Sequence, residues 1–244
     1  MNAVDGVPTV VPSLVQDLWL GRDLRLRGRR QAPFETPGFR VLFHCDLGSS
    51  LDDPAVDRFL TRLAAHADVV AFDPRGQGAS PGCFGPGMAE DLRQIVEHVD
   101  RWWKDGLPLV LVGHGLGGAI VLAAADHGSV AAVVALAPWL LPLEPPAATL
   151  ELLAGRTGGA PSADEVRSLL TPLEVPQRAG RLRVPMLLVD AREDPLRDPA
   201  SIAGIAAAHA GGSLLTAPGD SRAALGPPWP ELIVAWATAS LGLG

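Results

Sequence analysis

The sequence predicts an α/β fold, a mostly parallel central sheet with helices on both faces. Three observations predict it. Short apolar segments alternate with segments of helical spacing along most of the chain. Those apolar segments are unbroken rather than alternating, the pattern of strands buried on both faces. The chain has 244 residues, 48% hydrophobic and 19% charged, enough to enclose one sizeable core.

The elements follow in order. LWLGRDLRLRGRR at 18–30 alternates and reads as an antiparallel pair with a turn near Gly21 and Arg22. RVLFHC at 40–45 is a short buried strand, followed by a helix over about 53–66. DVVAF at 68–72 is the next strand, and the loop 73–87, with five Gly and three Pro, can be neither helix nor central strand. Residues 88–104 carry helical spacing through Leu92, Ile95, Val96, Val99 and Trp103. Then come a strand at 107–112, a small-residue helix at 117–126 and a strand at 130–136. Residues 138–184 break the rhythm, rich in Pro, Gly and Ala, with short helices expected near 148–153 and 163–170. This stretch reads as a small lid over the carboxyl edge of the sheet in a single domain spanning 1–244. Order returns with a strand at 186–189, a helix near 199–209, a strand at 213–216 and a last helix at 229–241.

Composition narrows the function. A formal charge of −7 argues against nucleic acid, which requires a basic face. No apolar run reaches the roughly 18–20 residues that span a bilayer, and the N-terminus lacks a signal-peptide pattern. A soluble cytoplasmic protein is expected, with a small-molecule ligand or substrate and a homodimer among the possible assemblies. Two Cys, Cys45 and Cys83, cannot build a disulfide scaffold. No His, Cys, Asp or Glu spacing suggests a metal, and no cofactor is expected. The chain has no Tyr and one Lys, Lys104, beside 19 Arg. GC-rich codon usage accounts for that, but it also shortens the list of catalytic side chains.

The strand at 107–112 is followed by Gly113-His114-Gly115-Leu116-Gly117-Gly118 and a helix. Gly113, Gly115 and Gly118 match a dinucleotide-binding G-x-G-x-x-G. That reading needs an acid at the end of the next strand, and the sequence there is Leu136-Ala137-Pro138-Trp139. The competing reading is a nucleophile elbow, G-x-S-x-G, with Gly115 in the place of Ser. Here the chain resembles the α/β-hydrolase family, from about Leu18 to the C-terminus. His44-Cys45-Asp46-Leu47-Gly48-Ser49-Ser50 is similar to the family's oxyanion loop. Asp73-Pro74-Arg75-Gly76-Gln77-Gly78-Ala79-Ser80 is similar to its DxRGxGxS segment. Glu193-Asp194-Pro195 resembles the acid turn, and Pro218-Gly219-Asp220-Ser221-Arg222 the turn that carries the base.

The resemblance implies an α/β-hydrolase fold with a degenerate triad. Asp194 stands at the acid position and Gly115 at that of the nucleophile. The base position falls on Arg222, or on Ser221 if the turn slips by one residue. Arg is always charged and accepts no hydrogen bond, so it cannot act as an imidazole does. Ordinary serine-hydrolase chemistry is therefore not expected.

The remaining groups suggest noncovalent chemistry. The N–H of Leu116, at a helix start, should face the pocket as an oxyanion donor. Asp46 lies where the resemblance puts the second donor or a substrate-facing group. It could be a general base, a neutral hydrogen-bond donor in an apolar pocket, or a helix cap. Asp194 and Arg222 should face each other, as a structural pair or with Arg222 clamping a substrate carboxylate. His114 is either a replacement base or a residue packed beneath the elbow. His44 should brace the oxyanion loop, Cys83 either approaches the pocket or is a bystander thiol, and Trp139 with Leu140 and Leu141 either line it or belong to the ordinary core. The expected function is a non-hydrolytic, cyclase- or lyase-type enzyme acting on a small, largely apolar carbonyl-bearing metabolite through Asp46, Asp194 and His114, with Gly115, Leu116, Arg222 and Trp139 binding it. The alternatives are an inactive pseudo-hydrolase that binds a ligand or partner, and a hydrolase with a relocated nucleophile or an activated water.

Overall fold

A computed structural model describes residues 14–21, 25–83, 85, 87–140, 164, 168 and 173–244. Eight strands form one sheet. They are β1 (Leu14–Leu20), β2 (Leu26–Ala32), β3 (Arg40–His44), β4 (Asp68–Phe72), β5 (Leu109–His114), β6 (Val130–Leu136), β7 (Met186–Ala191) and β8 (Gly212–Ala217). Their order across the sheet is β1-β2-β4-β3-β5-β6-β7-β8. Only the β1–β2 and β2–β4 pairings are antiparallel; all others are parallel. The helices are α1 (Pro54–Leu63), α2 (Met88–Trp102), α3 (Leu116–Ala124), α4 (Val175–Ala179), α5 (Pro199–Ala208) and α6 (Trp229–Ser240), with a 3₁₀ turn at Ser221–Leu225. Most of 138–184 lies outside the described residues, including Leu141 and the helix expected at 148–153.

The unbroken apolar strands feed two cores because successive side chains leave opposite faces of a sheet. Leu42, Val70, Phe72 and Leu111 enter the core beneath α2 and α3. Val41, Phe43, Val69 and Val112 enter the other, beneath α1 and α6. The helices supply complementary faces. α1 starts at an Asp53 cap whose carboxylate accepts from Ala55 N–H, with Pro54 at the first helical position, and buries Val56, Phe59, Leu60 and Leu63. α3 is buried all round, which its run of Ala, Gly, Ile, Val and Leu allows.

Three boundaries differ from expectation for tertiary reasons. The β1–β2 pair is longer than 18–30 and reaches from Leu14 opposite Ala32 to Leu20 opposite Leu26. β5 starts two residues late, after Pro108, which has no N–H for the ladder, and runs on through Gly113 and His114 because these pair with Ala135 and Leu136 of β6. α2 stops at Trp102; Trp103 is its cap and turns beneath the sheet. There the guanidinium groups of Arg30 and Arg40 lie 5.2 and 4.9 Å from the Trp103 ring. Both also bond the buried Asp68, and Arg40 reaches Asp105 as well. This network ties β2, β3 and β4 together at the end opposite the candidate site.

Candidate functional site

The loops leaving the carboxyl ends of β3, β5 and β7 converge, as the parallel order requires. The elbow forms where β5 turns sharply into α3. Gly115 has φ +57° and ψ −119°, a region costly for residues with a side chain. Its N–H donates to Leu136 O at 2.9 Å, and its carbonyl accepts from Trp139 N–H at 3.1 Å, so the end of β6 and the residues just after it fix the turn.

Asp46 decides what this elbow can do. Its carboxylate is buried, and Oδ1 accepts two backbone N–H groups, Leu47 and Leu116, each at 2.8 Å. Leu116 is the first residue of α3, so the carboxylate sits on the positive end of that helix. A Cβ placed on Gly115 would lie 2.0 Å from Asp46 Oδ1 and 2.1 Å from its Cγ. The Asp46 carboxylate thus fills both the seat of a side chain at 115 and the place an oxyanion would take.

Asp46, expected as the acid/base, and Leu116 N–H, expected as the oxyanion donor, are the two ends of one hydrogen bond. The contact also bears on the capping alternative. Asp46 does serve a helix start, but that of α3, seventy positions away; α1 is capped by Asp53.

The acid and base turns do not meet as expected. Asp194 is buried and closes its own turn, with Oδ1 accepting from Leu196 N–H at 2.8 Å. Arg222 points outward, its side chain 70% exposed, and pairs with Asp53 Oδ2 at 3.5 Å over the start of α1. Asp220 caps the 3₁₀ turn that carries Arg222 by accepting from Ala223 N–H. Ser221, the other residue considered for the base position, is buried, and its carbonyl accepts from His114 Nε2 at 2.9 Å. His114 therefore joins the strand below the elbow to the main chain of the base turn. Arg222→Ala should leave stability within about 0.5 kcal/mol of the parent, because an exposed pair contributes little. Thermal melts of the two proteins check this, and a larger loss would mean that Arg222 has a buried partner.

The oxyanion loop is braced as expected. His44 is buried, its Nδ1 bonded to Cys45 O at 2.8 Å and its ring edge-on to Phe72. Burial outweighs that bond and lowers the His44 pKa from 6.5 to about 4, so the ring is held neutral. Burial likewise pushes the Cys45 thiol up, with nearby carboxylates adding to it. The DPRGQGAS loop is built on Asp73, whose carboxylate accepts from the N–H groups of Leu51 and Ala79. Gln77 reaches back to the oxyanion loop and accepts from Gly48 N–H.

Cys83 is exposed. Trp139 is buried in the same core as Leu47, Leu116 and Leu140. Beside Asp194, a crevice too narrow to hold a water molecule is lined by Ala137, Pro138, Leu196 and Ile202. Among the described residues no group of three or more His, Cys, Asp or Glu could hold a metal ion, and no helix is long and apolar enough to cross a membrane. Sequence reasoning missed Asp53 as the partner of Arg222 and Leu47 N–H as a ligand of Asp46. The Asp53-Pro54 pair signalled the cap, but nothing local could signal a contact across 169 positions.

Comparison with known proteins agrees with this architecture. A curated human protein, monoglyceride lipase, is 35% identical over 105 residues, which are 40% of this chain and 35% of that protein, so the likeness spans about a third of the relative's length. Among solved structures, an esterase of Pyrococcus furiosus superposes with a TM-score of 0.73 at 16% identity, covering 98% of this chain and all of that one. Est1E of Butyrivibrio proteoclasticus gives 0.71 at 14% over 93% of this chain and 99% of its own. A monoacylglycerol lipase of Paleococcus ferrophilus gives 0.65 at 21% over 88% and 99%. The family model described as "Alpha/beta hydrolase family" matches residues 41–241. With that match over most of its length, and with the sheet order and elbow described above, the chain belongs to the alpha/beta hydrolase family.

Proposed function

We propose that this chain is a pseudo-hydrolase, a member of a hydrolytic family that works by binding a small molecule or partner rather than by acyl transfer. One observation carries the reading: the Asp46 carboxylate occupies the seat of the nucleophile and both N–H groups beside it. Acyl transfer needs an activated nucleophile, a base and an empty oxyanion site. In this chain residue 115 has no side chain, the residue at the base position is an outward Arg222, and the oxyanion site holds an internal anion. The ligand class expected is a small, largely apolar, carbonyl-bearing molecule. The two unpaired Cys suit a cytoplasmic setting. The relatives argue the other way, since those named above are esterases and lipases; they possess the chemistry whose parts are displaced here.

A second reading is favoured by the position of Asp46 itself. A carboxylate fixed at the elbow could move a proton to or from a bound carbonyl compound, giving cyclisation, elimination or isomerisation without a covalent intermediate. Two measurements test these readings. A panel of nitrophenyl esters at high protein concentration, run beside a serine-directed covalent probe, should show no saturable turnover and no labelling. Saturable hydrolysis that disappears in Asp46→Asn would overturn the pseudo-hydrolase reading and make Asp46 the reacting group. Proton exchange into a bound ketone, lost in the same variant, would support the second reading instead.

A further inference from the structure

We infer that a cavity at the amino ends of the strands, opposite the elbow, binds a small zwitterion with an apolar side group, the chemistry of a free α-amino acid. The cavity encloses about 430 Å³, a size typical of small-molecule sites. The crevice beside Asp194, by contrast, is too narrow for a water molecule. The inference goes beyond the reading of the elbow and holds whether or not the elbow takes a ligand.

The parallel order of the sheet builds this cavity as it builds the elbow, from the other end. Arg40 opens β3, Leu109 opens β5, and Ser129 immediately precedes β6. The last turn of α2 adds Val99, and the chain then passes through Trp103 and Lys104 to Gly106, whose φ of +75° lets it turn back into β5. The wall is largely apolar: Val99 and Leu109 are buried, and Leu107 and Pro108 are half-buried. Trp103 completes it, with its ring fixed by the guanidinium groups of Arg30 and Arg40.

Charge selects the ligand. Behind the wall, Arg30 and Arg40 are matched by Asp68 and Asp105, so that network is neutral as a whole. Two ionic side chains of the lining remain, Asp100 and Lys104, both exposed. Neither forms an ion pair among the described residues. Their neighbours on the same helix do pair, as Arg101 does with Glu97. The cavity thus presents an anion and a cation beside one apolar wall. A plain carboxylic acid would gain from Lys104 and be repelled by Asp100; a plain amine would meet the reverse. A molecule carrying both an ammonium and a carboxylate gains from both, and its apolar side group covers Trp103, Val99 and Leu107.

Lys104 is the chain's single lysine, which gives the test a reporter at the cavity itself. Reductive methylation with ¹³C-formaldehyde keeps its charge and yields one ε-dimethylamine NMR signal, separate from that of the α-amine. In low-salt buffer, L-phenylalanine up to tens of millimolar should move that signal saturably. 3-Phenylpropionate, which lacks the ammonium, and 2-phenylethylamine, which lacks the carboxylate, should each bind at least about threefold more weakly. Asp100→Asn should weaken phenylalanine by about the same factor and leave phenylpropionate no weaker. Calorimetry on Lys104→Gln should show the matching loss for the carboxylate. Both substituted side chains are exposed, and circular dichroism checks that each variant keeps its fold. A Lys104 signal that phenylalanine leaves unmoved overturns the inference. So does equal binding of the lone acid or the lone amine, or a folded Asp100→Asn with the parent's affinity for phenylalanine.

Discussion

Gly115→Ser is expected to lower stability by about 3 kcal/mol, and adding Asp46→Gly is expected to restore most of that loss. The single variant places a Cβ 2.0 Å from Asp46 Oδ1, in a backbone conformation with φ +57°. The carboxylate cannot retreat without leaving Leu47 and Leu116 N–H groups unpaired in a buried site, and each such group costs roughly 1–3 kcal/mol. Overpacking of this kind falls in the same range. Removing the Asp46 side chain opens the seat, and a Ser hydroxyl can then take over part of the hydrogen bonding. The two changes should therefore be strongly non-additive, with a coupling of about 1–3 kcal/mol in a double-mutant cycle. For a domain of this size, the single variant should melt roughly 6–12 °C below the parent. Additive effects of the two substitutions would show that Asp46 and residue 115 do not compete for the same space. The double variant should still lack esterase activity, because Arg222 supplies no base.

The second large effect concerns pH. His44 is buried, and burial holds its pKa at about 4 against 6.5 for a free imidazole. In the window between those values the unfolded chain binds the proton and the folded chain does not. Stability is therefore undiminished above about pH 6.5 and falls as the pH drops toward 4, losing about 3 kcal/mol over the window. The loss centres on the oxyanion loop, because His44 holds Cys45 O through Nδ1 and its main chain presses on the start of α3. A Cβ on Gly117 would lie 2.3 Å from His44 O. Denaturant unfolding from pH 7.5 down to 4 checks the slope, with His44→Asn as the reference. The variant should be less stable at neutral pH but flatter across the window. Parallel curves for the two proteins would assign the acid sensitivity to other groups.

Both predictions rest on contacts that differ in how far they were legible in the chain. That His44 braces the oxyanion loop follows from motif order, as does the position of Gly115 between a strand and a helix. The strands at 68–72 and 130–136 could be read to the residue, because a fully apolar run bounded by polar or turn residues has few other uses. Boundaries were lost where pairing overrode local pattern. β5 continues through Gly113 and His114 only because β6 lies alongside to receive them.

The candidate site divides in the same way. Sequence alone determined the fold family, the glycine at the strand-to-helix turn, and the short list of groups able to move a proton. These are statements about residue types in order along the chain. Only the tertiary structure decided that Asp46 fills the seat of the nucleophile, that Leu116 N–H is already engaged, and that Arg222 stands on Asp53 rather than opposite Asp194. Those contacts join positions 70 and 169 residues apart. Which side chain reaches across such a gap depends on how strands stack and how each turn is capped. Local sequence fixes the caps and the strands; the meeting of their loops is a property of the packed sheet.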